Sequence, residues 1–88
     1  MIPIEFDAVV FREGELYIGY APELDVSSCG ETLAESHDNL KMAVRLFLEE
    51  AEKMGTLEEI LAESGFHKGS EGKWNGPRMV SVDTLEMT

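Results

Sequence analysis

The chain has 88 residues, 43% of them hydrophobic, and its 18 Asp and Glu outweigh 7 Lys and Arg to leave a net charge of -11. That length holds one small core and leaves no room for a second domain, while the apolar content argues against disorder. The acidic excess predicts no direct nucleic-acid partner and no anionic membrane partner, since affinity for phosphates comes from cations that displace counterions.

In the first segment Ile4, Phe6, Ala8 and Val10 alternate with Glu5 and Asp7, and beyond Glu13 and Gly14 a second row of Leu16, Ile18 and Tyr20 alternates likewise. A period of two on both sides of a glycine predicts a β-hairpin. A two-residue loop of Glu13 and Gly14 would pair Val10 with Tyr17 and send the two aliphatic rows to opposite faces. A three-residue loop of Arg12, Glu13 and Gly14, with Gly14 left-handed as a bulge, pairs Val10 with Leu16 and Ala8 with Ile18. The three-residue loop is preferred because it gathers one core face. It leaves Val9, Phe11 and Tyr17 together on the other face. Pro22 ends the second strand, and residues 25–29 form a short third strand after a turn.

Gly30 breaks that strand, and Thr32 followed by Glu35 is a capping box that opens a helix. Leu33, His37, Leu40, Val44, Phe47, Leu48 and Ala51 recur at spacings of three and four, an apolar stripe that runs as far as Met54. Gly55 ends the helix. Thr56 caps a second, shorter helix with Leu57, Ile60 and Leu61 inward, and Gly65 is its left-handed stop. Residues 67–77 are polar and Gly-rich and read as a loop. Residues 79–87 alternate weakly and predict a last strand, at a sheet edge or paired between chains.

Charge is uneven along this course. Residues 1–30 hold six acids and one base, a balance of -5, residues 31–63 hold nine acids and three bases, a balance of -6, and residues 64–88 are balanced. An electrostatic partner is therefore expected to be basic and to dock on the first 63 residues, against the plainer reading of solvated faces that keep a small protein soluble. A single cysteine, the absence of a signal-like start and the lack of any apolar run near 18 residues predict a soluble, cytosolic protein.

Little in the sequence points to catalysis. His37 and His67 have no second His or Cys at ligand spacing, so no metal site is expected, and His37 is placed at the edge of the core. Cys29, just ahead of a helix N-terminus, could be an activated thiol, but a buried small apolar residue is the favoured reading. The eight glycines never gather into a phosphate-binding loop, so no nucleotide cofactor is implied. Trp74 is either a lid over the core or an interface anchor. Glu49, Glu50 and Glu52 crowd the C-terminal end of the long helix, where the dipole disfavours acids; Lys53 offsets part of this, and a basic partner would offset more.

The stretch of residues 20–50, YAPELDVSSCGETLAESHDNLKMAVRLFLEE, resembles the HicB family of antitoxins. The features that carry the resemblance are the turn at Pro22, Glu23 and Leu24, then Gly30, Glu31, Thr32, Leu33 and Glu35 at the helix start, then Asn39, Leu40, Ala43, Leu46 and Leu48. With the preceding hairpin the likeness covers about the first 65 residues. It implies a three-stranded antiparallel sheet crossed by a helix, a partial ribonuclease-H-like layout. It also implies neutralisation of a small, basic, RNA-cleaving toxin of the HicA family. Ser36 stands where the family has Ala, and His37 where it has a Leu-like residue. No ribbon-helix-helix or helix-turn-helix follows the resemblance, so operator binding is not expected. Nor is nuclease chemistry, which needs converging carboxylates where only Asp7 lies on the first strand.

These observations predict an α+β, HicB-like domain: a three-stranded antiparallel sheet plus a C-terminal strand, packed by one long and one short helix. Residues 1–65 form its body, and residues 66–88 a loop and strand of the same domain or of a dimer interface. Glu5, Asp7, Glu23 and Asp25 are the candidate toxin-binding acids. Val9, Phe11, Tyr17, Met79, Val80 and Val82 are the candidate homodimer contacts. The expected function is a non-enzymatic, cofactor-free antitoxin module; the alternative is a stand-alone oligomeric binding domain without a toxin.

Overall fold

The tight turn between the first long strands sets the face that every later residue of the sheet presents. In the computed structural model, which describes residues 2–87, that turn is Gly14 and Glu15, with Gly14 at φ 63. A positive φ at the first of two loop positions is the geometry glycine supplies without steric cost, and its twist matches that of the flanking strands. The hairpin therefore pairs β2 (Val9–Glu13) with β3 (Leu16–Ala21) so that Glu13 opposes Leu16, Phe11 opposes Ile18 and Val9 opposes Tyr20. This corrects the expected three-residue loop. Because the strand period is two, the odd shift exchanges the faces: Leu16, Ile18 and Tyr20 turn away from the helices, and Tyr17 turns toward the helix side.

β4 (Val26–Gly30) adds antiparallel to β3, with Ile18 opposite Cys29, Gly19 opposite Ser28 and Ala21 opposite Val26. The strand order is β2-β3-β4. The chain turns from β3 to β4 through residues 22–25, where Leu24 N–H donates to the Ala21 carbonyl at 3.2 Å and Asp25 sits at φ 54, a left-handed position that Asp tolerates better than most residues.

α1 (Leu33–Met54) crosses the face of this sheet that carries Gly19, Ala21, Ser28 and Gly30. Thr32 caps it, its hydroxyl accepting from Glu35 N–H at 3.0 Å, while the Glu35 carboxylate reaches back to the N–H of Glu31 at 3.2 Å. At the other end Gly55, at φ 75, closes the helix. The stripe that reaches the sheet is Ser36, Leu40, Val44, Leu48 and Ala51, so Leu33 and His37 lie outside it and are exposed. Its phase is set by close approach. A Cβ on Gly30 would lie 2.6 Å from the Ser36 backbone nitrogen, and one on Gly19 would lie 3.2 Å from the Ser36 carbonyl oxygen. Only small residues on both sides allow the helix this near. Ser36 disposes of its own hydroxyl within the helix, donating to the Leu33 carbonyl at 2.8 Å.

α2 (Leu57–Glu63) follows at once and buries Leu61 completely. Thr56 is its N-cap residue, its carbonyl accepting from Ile60 N–H at 2.9 Å, but its hydroxyl makes no capping bond and instead reaches back to the Ala51 carbonyl of α1 at 3.4 Å. The segment expected to be a loop contains β5 (His67–Lys68) and β6 (Trp74–Asn75), a two-stranded antiparallel ribbon. β6 also pairs in parallel with β1 (Ile4–Glu5), Ile4 opposite Trp74, so the first strand of the sequence is split at residues 6–8 and serves two sheets. Trp74 and Phe66 thereby join Leu24, Leu40, Val44, Leu48 and Leu61 in one core. Trp74 is a lid. Each fully buried Leu there contributes about 1.5 to 3 kcal/mol relative to exposure.

The expected last strand is absent: residues 76–87 pair with no strand among the described residues.

Candidate protein-interaction surfaces

Glu5 and Asp7 are acids with internal duties. Glu5 pairs with Lys73 at 2.8 Å, and the ammonium donating to its carboxylate holds the Glu5 pKa below its ordinary value. Asp7 pairs with Arg78 at 3.0 Å and also accepts the N–H of Met79. Together the two carboxylates fasten the chain on either side of Trp74 to the N-terminal segment. Glu23 is half-buried, with one carboxylate oxygen out of contact with water and without a hydrogen-bond partner among the described residues. Asp25 is exposed and accepts the Tyr20 hydroxyl at 2.9 Å, which raises the tyrosine pKa because Asp25 holds the proton on the phenol. The four predicted docking acids are thus not one open patch. A signal for the first two lay in the sequence: residues 64–88 are charge-balanced, unlike the two stretches before them, and two of their three bases meet acids of residues 5–7.

Open acidic surface lies elsewhere, around the α1–α2 corner. Glu50, Glu52, Glu58, Glu59 and Glu63 are exposed there, with Lys53 the one base between them in sequence. The two ion pairs among the described residues, Glu5–Lys73 and Asp7–Arg78, involve none of them.

A second surface is apolar. On the sheet face away from α1, Phe11, Ile18 and Cys29 form one cross-strand row and Val9, Tyr20 and Ser27 the next. Phe11 is 55% and Leu16 41% exposed, and Cys29 is an exposed free thiol rather than a core residue. Of the predicted dimer contacts, Val9 and Phe11 lie here. Tyr17 does not; it lies on the helix-side face beside Arg12, whose guanidinium is 5.6 Å from the ring centre. Met79, Val80 and Val82 belong to the terminal segment, where Val80 is 97% exposed.

A groove separates the first strand from α1. Ile4, Phe6, Ala8 and Leu40 line a cavity of about 510 Å³ whose remaining walls are Glu5, His37, Lys41 and Arg78. A smaller hollow of about 230 Å³ continues it along the helix past Val44, Arg45 and Leu48.

Among the described residues no group of three or more His, Cys, Asp or Glu side chains is arranged to hold a metal ion, and no helix is long and apolar enough to cross a membrane. No family model, curated protein or solved structure matches the chain.

Proposed function

We propose that the protein is a non-catalytic, antitoxin-type binding module that neutralises a small, basic, RNA-cleaving toxin of the HicA type in the cytosol. The observation that carries this is the exposed acidic corner of α1 and α2, set in a chain of net charge -11 whose residues 20–50 resemble HicB antitoxins. Acids at the C-terminal end of α1 oppose the helix dipole, a local cost that a basic partner would relieve. Such a surface steers a cationic protein to its site and orients it there. Asp7, the one acid a ribonuclease-H-like site would want near the start of the chain, lies between β1 and β2 and is engaged by Arg78 and Met79, in keeping with a binding role.

Co-expression tests this. A HicA-type toxin should arrest growth alone and fail to do so beside this protein, and the purified pair should co-elute with RNA cleavage suppressed. Unrelieved arrest with no co-elution would contradict the proposal.

A second reading, a stand-alone oligomeric binding domain, is favoured by the exposed Phe11 and Leu16 beside half-buried Ile18 on one sheet face, together with the apolar terminal segment. A monomer leaves that area in water, and association covers it.

A further inference from the structure

The backbone of β2 leaves one set of hydrogen-bonding groups unused. The turn at Gly14 and Glu15 makes Glu13 and Leu16 the closing, hydrogen-bonded pair of the hairpin, and because such pairs alternate along an antiparallel ladder, Phe11 with Ile18 and Val9 with Tyr20 are the next two. The N–H and C=O groups of Val10 and Arg12 therefore point away from β3. No backbone bond from elsewhere reaches them among the described residues.

The other sheet edges are guarded or short. By the same alternation Ser27 and Cys29 face outward on β4, but the Cys29 carbonyl already accepts from Asn39 of α1 at 2.8 Å. β1 and β5, the edges of the small sheet, are two residues long. β2 has no such protection, since α1 packs chiefly over β4 and β3. Open edges of this kind are templates for another strand.

We infer that the β2 edge pairs with the β2 edge of a second copy, antiparallel about a twofold axis at Phe11, so that the sheet continues from one chain into the next. The inference rests on the oligomeric reading and names its contact.

The open groups and the charges together select the register. Across a twofold axis the bonded pairs join Val10 to Val10, Arg12 to Arg12, or Val10 to Arg12. Val10 on Val10 leaves Arg12 to bond Ala8, which lies outside β2 and shares a hollow with residues 79–82. Arg12 on Arg12 sets like charges directly opposite. Joining Val10 to Arg12 satisfies every open group within β2 and brings Val9 opposite Glu13, with no like charges opposed along the strand. Phe11 then meets itself. The Cα atoms of such a non-bonded pair lie about 4.5 Å apart. Phe11, 55% exposed in one chain, becomes the centre of a row that runs from Cys29 through Ile18 and back through the same residues of the second copy.

Charge also selects the occupant. β2 carries one base and one acid, Arg12 and Glu13, and the Arg12 guanidinium lies 5.6 Å from the Tyr17 ring centre. The edge is thus locally neutral in a chain of net charge -11, so two copies can approach here, whereas a basic protein finds no excess of acid to hold it.

Three measurements test the contact. Light scattering from micromolar to millimolar concentration should show a doubled mass. Val10→Pro removes an N–H that β3 does not use, a change an edge strand tolerates, so it should keep the circular dichroism of the parent and weaken association at least about tenfold. In a Cys29→Ser background, Phe11→Cys should give a disulfide-linked pair on mild oxidation; Leu16→Cys, also exposed but away from the axis, should not. Amide exchange needs no substitution: Val10 and Arg12 should be protected at concentrations where the mass is doubled and lose that protection on dilution, while Phe11, bonded to Ile18, keeps its own. A doubled mass with both amides unprotected overturns the edge pairing and leaves the oligomeric reading standing, as does a doubled mass that a folded Val10→Pro chain retains. A link from Leu16→Cys as well as Phe11→Cys sets face against face and also overturns the edge pairing. A single-chain mass at every concentration overturns both.

Discussion

The two faces of the β2-β3-β4 sheet differ in the opposite sense from the one bulk hydrophobicity suggests. Where α1 crosses it, the sheet presents Gly19, Ala21, Ser28 and Gly30, with Val10, Tyr17 and Val26 at the margins of the same face, whereas the face turned away carries Phe11, Leu16, Ile18 and Tyr20. The helix supplies the bulk of the core with Leu40, Val44 and Leu48, so the sheet beneath it must be thin. Burial here follows from how near two backbones can come. The large apolar residues left outside are then available to a partner.

Substitutions on the two faces should separate this account from one in which the outer row is core. The largest effect is expected at Leu40, 1% exposed over the thin face: Leu40→Ala should lower unfolding free energy by about 3 kcal/mol in urea titrations, through lost transfer energy and a cavity. Gly30→Ala comes next. Its new methyl meets the Ser36 and Glu35 backbone at 2.6 and 2.9 Å, so α1 must move, and a loss of about 2 kcal/mol is expected by the same measurement. Phe11→Ser, on the open face, should change monomer stability by no more than about 0.5 kcal/mol while reducing any association through that face. A loss comparable to that of Leu40→Ala would put Phe11 in the core and refute the assignment of the two faces.

Much of this was legible in the sequence, and what was not had a common cause. The bounds of α1 follow from spacing, the Thr32 cap and Gly55, all local signals. The phase of its buried stripe did not, because His37 and Ser36 are adjacent and only the glycines across the interface decide between them. The hairpin was legible and its register was not: moving the loop from residues 12–14 to Gly14 and Glu15 reverses every side chain of β3 relative to β2. The parallel pairing of Ile4 with Trp74 joins residues seventy positions apart, and no local pattern announces it. Among the candidate site residues, Val9 and Phe11 lie on the sheet face turned away from α1, whereas Glu5 and Asp7 are bound by bases of the balanced C-terminal segment.

The smallest expected effect concerns that fastening. Because the folded chain lowers the Glu5 pKa through Lys73, the pair adds stability above the ordinary carboxylate range and loses it as pH falls through the lowered value. Acid titration of the wild type and of Lys73→Gln, followed by Trp74 fluorescence, should show the wild type losing its small advantage below about pH 4.5. Identical acid transitions would remove the pair from the account.

The binding role itself is tested most directly by calorimetric titration with a HicA-type toxin at low salt and at about tenfold higher salt, where the screening length falls about threefold. The account predicts tight binding that weakens with salt and weakens at least about tenfold in Glu58→Lys with Glu59→Lys on the acidic corner. Affinity and association rate indifferent to both salt and these substitutions would contradict it.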